Sequence, residues 1–220
     1  VPTASLARIS HAGCGLCVAL TWIKPHRRIW LYKLRIDPDV PATAMARICI
    51  VYSTTDGHTL EICRRLQQVL ESDAHRVELI AVEACAGTDW AQFDKLVVGA
   101  RIRYGKHHPQ VVHLIQACAA RWQNMPTAFF SVNLVARKAG KDTAETNPYV
   151  RKLLRLTGWQ PTATAVFAGK LDYKRYGFRD RHIIRFIMWL TQGPTAADAC
   201  VDFTDWQAVE AFARRVSVMG

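Results

Sequence analysis

The sequence predicts an α/β domain built on an open, mostly parallel sheet. Five short runs are apolar on both faces, as central strands covered from both sides are. Stretches with helical spacing separate most of them, the alternation that builds a parallel sheet. The chain has 220 residues, 50% hydrophobic and 21% charged, enough apolar material for a sizeable core and too much for a disordered polymer. No uninterrupted run of about 18 apolar residues occurs, so no conventional membrane-spanning helix is expected.

The regular pattern begins near residue 45. Residues 47–52, RICIVY, read as the first strand, and Leu60, Cys63, Leu66, Val69 and Leu70 form the stripe of a following helix. Residues 76–82 and 95–99 read as strands two and three. A helix opened by Pro109 should bury Val112, Ile115 and Ala119. Residues 127–132 give strand four, 148–157 a helix and 163–168 strand five. Asp205 is a fitting N-cap for a last helix that turns Val209, Phe212 and Val216 inward. About 36 residues, 169–204, separate the fifth strand from that helix, against the two to six usual for such a connection.

Residues 1–44 show no such alternation. Pro38, Pro41 and small residues precede Met45, and the apolar stretch 13–23 is too short to span a bilayer. His11, Cys14 and Cys17 have an HxxCxxC spacing but lack a second ligand pair, so no metal is assigned. Residues 1–44 are taken as an N-terminal extension without a catalytic role, and 45–220 as the domain. Several of the dispersed cysteines fall inside apolar patterns and read as reduced buried thiols, on the cytosolic side of a cell.

In an open parallel sheet, ligands bind beyond the carboxyl ends of the strands. The first such loop, Ser53-Thr54-Thr55-Asp56-Gly57-His58-Thr59, offers four hydroxyls, a glycine and the free N–H groups of a helix start. It has neither the GxxxxGK[ST] of an ATP loop nor the GxGxxG of a dinucleotide site. Hydroxyls without lysine suit a terminal phosphomonoester; an ordinary capped helix start is the competing reading. Arg101-Ile102-Arg103-Tyr104-Gly105 offers a tight turn, an aromatic ring and cations. Asn133 ends a buried strand and could bond a ligand or merely its own loop.

The ordered segments STTDGHT, GARIRYGKHH (99–108), FFSVNLVARKAGKDTAETNPY (129–149) and FAGKLDYKRYGFRD (167–180) resemble the flavodoxin-type, quinone-dependent protoporphyrinogen oxidases of bacterial haem synthesis. The resemblance covers about residues 45–216. It implies a flavodoxin-like three-layer sandwich with strand order 2-1-3-4-5, enlarged by the insertion 169–204. It implies one non-covalent FMN per chain, oxidation of protoporphyrinogen IX to protoporphyrin IX, and transfer of electrons to a membrane quinone, usually menaquinone. Ser53, Thr54, Thr55, Asp56, Gly57, His58 and Thr59 would form the phosphate loop. Ala100, Arg101, Ile102, Arg103, Tyr104 and Gly105, with Ser131, Val132, Asn133, Leu134, Val135 and Ala136, would flank the flavin ring. The chemistry is flavin-centred, and Arg103, Tyr104 and Asn133 are the side chains proposed to assist it. His107 and His108 are weaker candidates for proton transfer.

The insertion combines Lys174, Arg175, Tyr176, Arg179 and Arg181 with an apolar segment holding Trp189. With Arg137, Lys138 and Lys141 these residues suit substrate propionates or an anionic membrane surface; packing as an accessory helix is the alternative. A peripheral position on the cytoplasmic face of the bacterial inner membrane follows from the resemblance. No nucleic-acid module surrounds the basic residues. Contacts with other haem-pathway enzymes and self-association stay open.

The net charge of +11 is unevenly placed. Residues 1–44 carry +4, the loops 101–108, 137–142 and 170–185 together carry +9, and the remainder is −2. The charge therefore gathers beyond the sheet's carboxyl edge, where anions would be met. Two other functions share the scaffold: an NAD(P)H:quinone reductase and a non-enzymatic flavodoxin electron carrier. The basic insertion favours the oxidase, since a carrier for cationic partners would expose acids.

Overall fold

The computed structural model describes residues 45–173, 177, 182–185, 188, 196 and 199–220. The HxxCxxC group and the expected contact residues Lys174, Arg175, Tyr176, Arg179, Arg181 and Trp189 lie outside these residues.

Alternation within the first strand sets the layering. In β1 (Arg47–Ser53), Ile48 and Ile50 face one core, and Cys49 and Val51 the other. The period-two geometry of a strand divides a continuous apolar run between two covered faces. β1 pairs in parallel with β2 (Arg76–Ala81) and β3 (Lys95–Arg103). β3 pairs with β5 (Thr127–Val132), and β5 with β6 (Ala163–Phe167). The order is β2-β1-β3-β5-β6, because the two-residue β4 (Lys106–His107) only folds back antiparallel on β3. Leaving β4 aside, this is the expected 2-1-3-4-5 order.

Helices α1 (His58–Ser72) and α4 (Trp206–Ser217) cover one face. Helices α2 (Pro109–Cys118) and α3 (Pro148–Thr157) cover the other. The first core centres on Phe130, Phe167 and Phe212, the second on Phe129 with Trp90, Trp122 and Trp159. Gly99 permits close packing in the first, since a Cβ there would fall 2.2 Å from the Phe130 ring.

The structure corrects several sequence expectations. α2 turns Val111, Ile115 and Cys118 into the core; Val112 and Ala119 are only half-buried. α1 also buries Ile62, whereas Leu60 and Val69 are partly exposed. β3 continues four residues beyond the expected strand. The start and end of the insertion, β7 (Lys170–Asp172) and β8 (Cys200–Asp202), form an antiparallel ribbon. Cys49, Cys63, Cys85 and Cys118 are free and buried; burial pushes the Cys49 thiol up to about 12 and the Cys85 thiol up to about 11. Among the described residues, no helix is long and apolar enough to cross a membrane and no side-chain group is suited to a metal ion.

Candidate functional site

Strand register brings the three sequence-predicted loops together. Ser53 lies opposite Ala100, and Ala100 opposite Ser131, so one row across the sheet's carboxyl end contains the start of each loop. In the first, Gly57 is left-handed (φ 84°) and caps α1, while its N–H donates to Thr54 Oγ1 at 3.1 Å. Glycine adopts that conformation without a Cβ penalty. The turn leaves the first helical N–H groups of α1 without intrahelical acceptors, the arrangement that receives an anion. Ser53 and Thr59 are buried, and Thr55 is exposed. The buried Ser53 Oγ has no hydrogen-bond partner within the protein, a costly condition that an oxyanion would relieve.

His58 has a different role from the neighbouring hydroxyls. Its ring faces Glu61 Oε2 at 3.1 Å through Nδ1 and Thr204 Oγ1 at 2.7 Å through Nε2. Thr204 Oγ1 donates onward to the carbonyl of Ala168 at 2.8 Å, and Asp202 Oδ1 stands 3.8 Å from His58 Nε2. The imidazole ties α1 to the chain returning from the insertion. The main-chain N–H is the group His58 presents at the helix start.

The second loop is a β-hairpin. Tyr104 (φ 50°) and Gly105 (φ 72°) are both left-handed, the pattern of a two-residue primed turn, which brings Lys106 back opposite Arg103. The Arg103 guanidinium carbon lies 5.5 Å from the exposed Tyr104 ring centroid. Arg101 is half-buried, and its buried Nε has no hydrogen-bond partner. Burial, then Arg103, weaken the Arg101 guanidinium's hold on its proton, opposed by Asp56 and Glu83. A partly desolvated cation with a partnerless Nε beside the 53–59 loop would gain from an incoming anion.

A buried polar chain holds the third loop. His107 Nε2 lies 3.1 Å from Ser131 Oγ, which accepts from Asn133 Nδ2 at 3.4 Å. Asn133 Oδ1 accepts from Ala136 N at 3.0 Å and Asn147 Nδ2 at 3.4 Å. The Asn133 side chain thus fixes its own loop, the structural alternative open in the sequence. Asn147 also donates to the Lys141 carbonyl at 2.8 Å, while its Oδ1 caps α3 at Tyr149 N and Val150 N. Burial lowers the His107 pKa to about 4, so its ring is neutral near pH 7 and poorly suited as a proton donor. Val132 and Ala136 are buried; Leu134 and Val135 are partly exposed beside them.

Arg137 turns back on the fold. Its guanidinium donates to the Leu134 carbonyl at 2.8 Å and lies 6.0 Å from the Phe203 ring centroid, beside the β7–β8 ribbon. Lys138 and Lys141 are exposed. Sequence reasoning missed Asn147 and Thr204. The Asn-Pro start of α3 signals the Asn147 cap, but no local pattern announces its bond to Asn133. Thr204 is 146 residues from His58.

A flavodoxin-domain family model matches residues 49–198. The chain is 40% identical over 168 residues to Protoporphyrinogen IX dehydrogenase [quinone] of Escherichia coli (strain K12), covering 76% of this chain and 93% of that protein. A protein of the same name from Leishmania major is 41% identical over 174 residues, covering 78% and 75% respectively. Among solved structures, the WrbA-like flavodoxin of Agrobacterium tumefaciens overlaps 78% of this chain and 95% of its own, with 14% identity and TM-score 0.46.

Proposed function

Because the chain belongs to the flavodoxin-domain family of quinone-dependent protoporphyrinogen IX dehydrogenases, we propose that it oxidises protoporphyrinogen IX to protoporphyrin IX with FMN as its cofactor and a membrane quinone, menaquinone in the usual pairing, as acceptor. The observation that carries the FMN reading is the partnerless buried Ser53 hydroxyl at the start of α1, in register with both loops expected to flank the ring. The donor set fits a phosphomonoester with a flat ring beyond it.

Ser53, Thr54, Thr55, Thr59 and the main chain from Gly57 onward would hold the phosphate, with Asp56 shaping the turn. Ala100–Gly105 and Ser131–Ala136 would form the walls for the ring. When bound, FMN supplies a reversible two-electron acceptor, so removal of six electrons and six protons requires three cycles and three quinones. The chain's task is then orientation and charge. Arg101 supplies a partly desolvated cation for the phosphate or reduced cofactor, and the exposed Lys138 and Lys141 suit substrate propionates. No single general base is required, and His107 holds Ser131 instead of shuttling protons. The reading makes the chain a peripheral protein on the cytoplasmic face of the inner membrane.

The test supplies FMN-reconstituted protein with anaerobic protoporphyrinogen IX and menaquinone, and follows porphyrin fluorescence. A quinone-dependent rise above the enzyme-free control is expected. No rise would overturn the assignment, and rapid flavin reduction by NAD(P)H alone would indicate a reductase.

A further inference from the structure

The tip of the hairpin, α2 and α3 form a surface next to the loop proposed to wall the ring, and α2 and α3 take no part in the proposed oxidation. A groove of about 290 Å³ runs between them, lined by Gly105, Val112, Tyr149, Leu153 and Leu156, with the exposed Lys106 and Lys152. Residues 149, 152, 153 and 156 form one stripe of α3 at helical spacing. Two large apolar side chains stand in solvent on these elements: Tyr104 is 63% exposed and Leu156 58%. Exposed Arg155 lies one turn along from Lys152. The stretches 101–108, 109–118 and 148–157 contain six cations and no aspartate or glutamate. Acids are present elsewhere in the domain, so this sign bias belongs to this face.

We infer that the face built by the β3–β4 hairpin, α2 and α3 seats on an anionic lipid bilayer, with Lys106, Lys152 and Arg155 at the headgroups and Tyr104 and Leu156 entering the interface. Charge complementarity selects this occupant: an acid-free cationic rim around exposed apolar tips is the pattern that binds anionic lipid. The groove is at or below the size of pockets that enclose drug-sized ligands, about 300–1,000 Å³. It therefore suits one hydrocarbon chain better than a tetrapyrrole. Gly105 belongs to both the groove and the loop expected to border the flavin, so docking on this face would bring that loop toward a membrane-dissolved acceptor. The inference rests on the quinone-linked reading for its purpose, and it moves the expected membrane contact from the insertion to this face.

The FMN-loaded full chain is sedimented with vesicles of phosphatidylglycerol and phosphatidylcholine, or of phosphatidylcholine alone. Binding only to the anionic vesicles, weakening with salt, is expected. At about 5-fold per cation near the surface, Lys106→Gln/Lys152→Gln/Arg155→Gln should weaken partition by about 100-fold. Leu156→Asp should weaken it several-fold while the circular dichroism remains unchanged. Equal binding by all three proteins, no anionic-vesicle binding by the parent, or loss only on Lys174→Gln/Arg175→Gln would overturn the inference. Retention on another protein with no vesicle binding would also overturn it. Partition is measured without substrate, so its failure leaves the oxidase reading intact. Failed porphyrin formation with normal partition would count against that reading alone.

Discussion

A single buried amide side chain shows how this site is held. Asn147 is fully buried and uses both ends of its amide. The oxygen caps α3, while the nitrogen reaches Asn133 and the Lys141 carbonyl. Asn147→Asp separates these functions, because a carboxylate caps a helix about as well as an amide but donates nothing. The variant should keep α3 capped but melt lower, because a buried carboxylate then faces two acceptor oxygens, and should bind FMN up to about 30-fold more weakly as the 133–147 loop loses two ties worth roughly 1 kcal/mol each. Asn147→Ser offers a second cap too short to reach Asn133 and should show the same loss. FMN titration by fluorescence quenching, with thermal melts of the apoprotein, measures the separation. Unchanged affinity in both folded variants would leave Asn147 a cap and nothing more.

The packed elements carry a different kind of constraint. Gly99 lies opposite Phe130 in the register of β3 and β5, and the aromatic ring occupies the space of its missing side chain. Gly99→Ala must displace a ring packed against Phe167 and Phe212. A cost of about 1–3 kcal/mol is expected from such overpacking, visible as a lower urea midpoint; an unchanged midpoint would show that the ring moves freely. The helix expected over 148–157 matches α3, which the Asn147 side chain caps at its start and left-handed Gly158 closes. Asp205 likewise marked α4 through its bond from Ala208 N. The extension of β3 was concealed because Arg101 and Arg103 interrupt the apolar run, and because Tyr104 is a bulky residue in a conformation favouring glycine. The loops 53–59, 101–105 and 131–136 stood out in the sequence by residue type and by resemblance, and the register sets them side by side. The ties behind them, His58 to Thr204 and Asn133 to Asn147, arise only when distant segments meet.

At the scale of the whole molecule, the site depends on the folded state keeping one imidazole neutral. His107 is buried against Phe129 and bonded to Ser131, joining the hairpin to β5. Its pKa falls from 6.5 to about 4 because burial penalises the charged ring. The unfolded chain therefore takes up this proton more readily than the folded one. The resulting stability is intact above pH 6.5 and is lost progressively as the pH falls toward 4. At pH 4.5 the loss from this group should be about 2–3 kcal/mol. Carboxylates titrate in the same window, so a variant must isolate the imidazole. His107→Gln can bond Ser131 without titrating, and should lose about 2–3 kcal/mol less than the parent between pH 7 and pH 4.5. Urea unfolding of the apoproteins at both pH values measures that difference. Parallel losses would mean that His107 is protonated without disrupting the fold, and the hairpin would need another anchor. A reduced loss in His107→Gln, with FMN affinity in the parent falling over the same interval, would connect acid stability to the polar chain behind the loops proposed to wall the flavin.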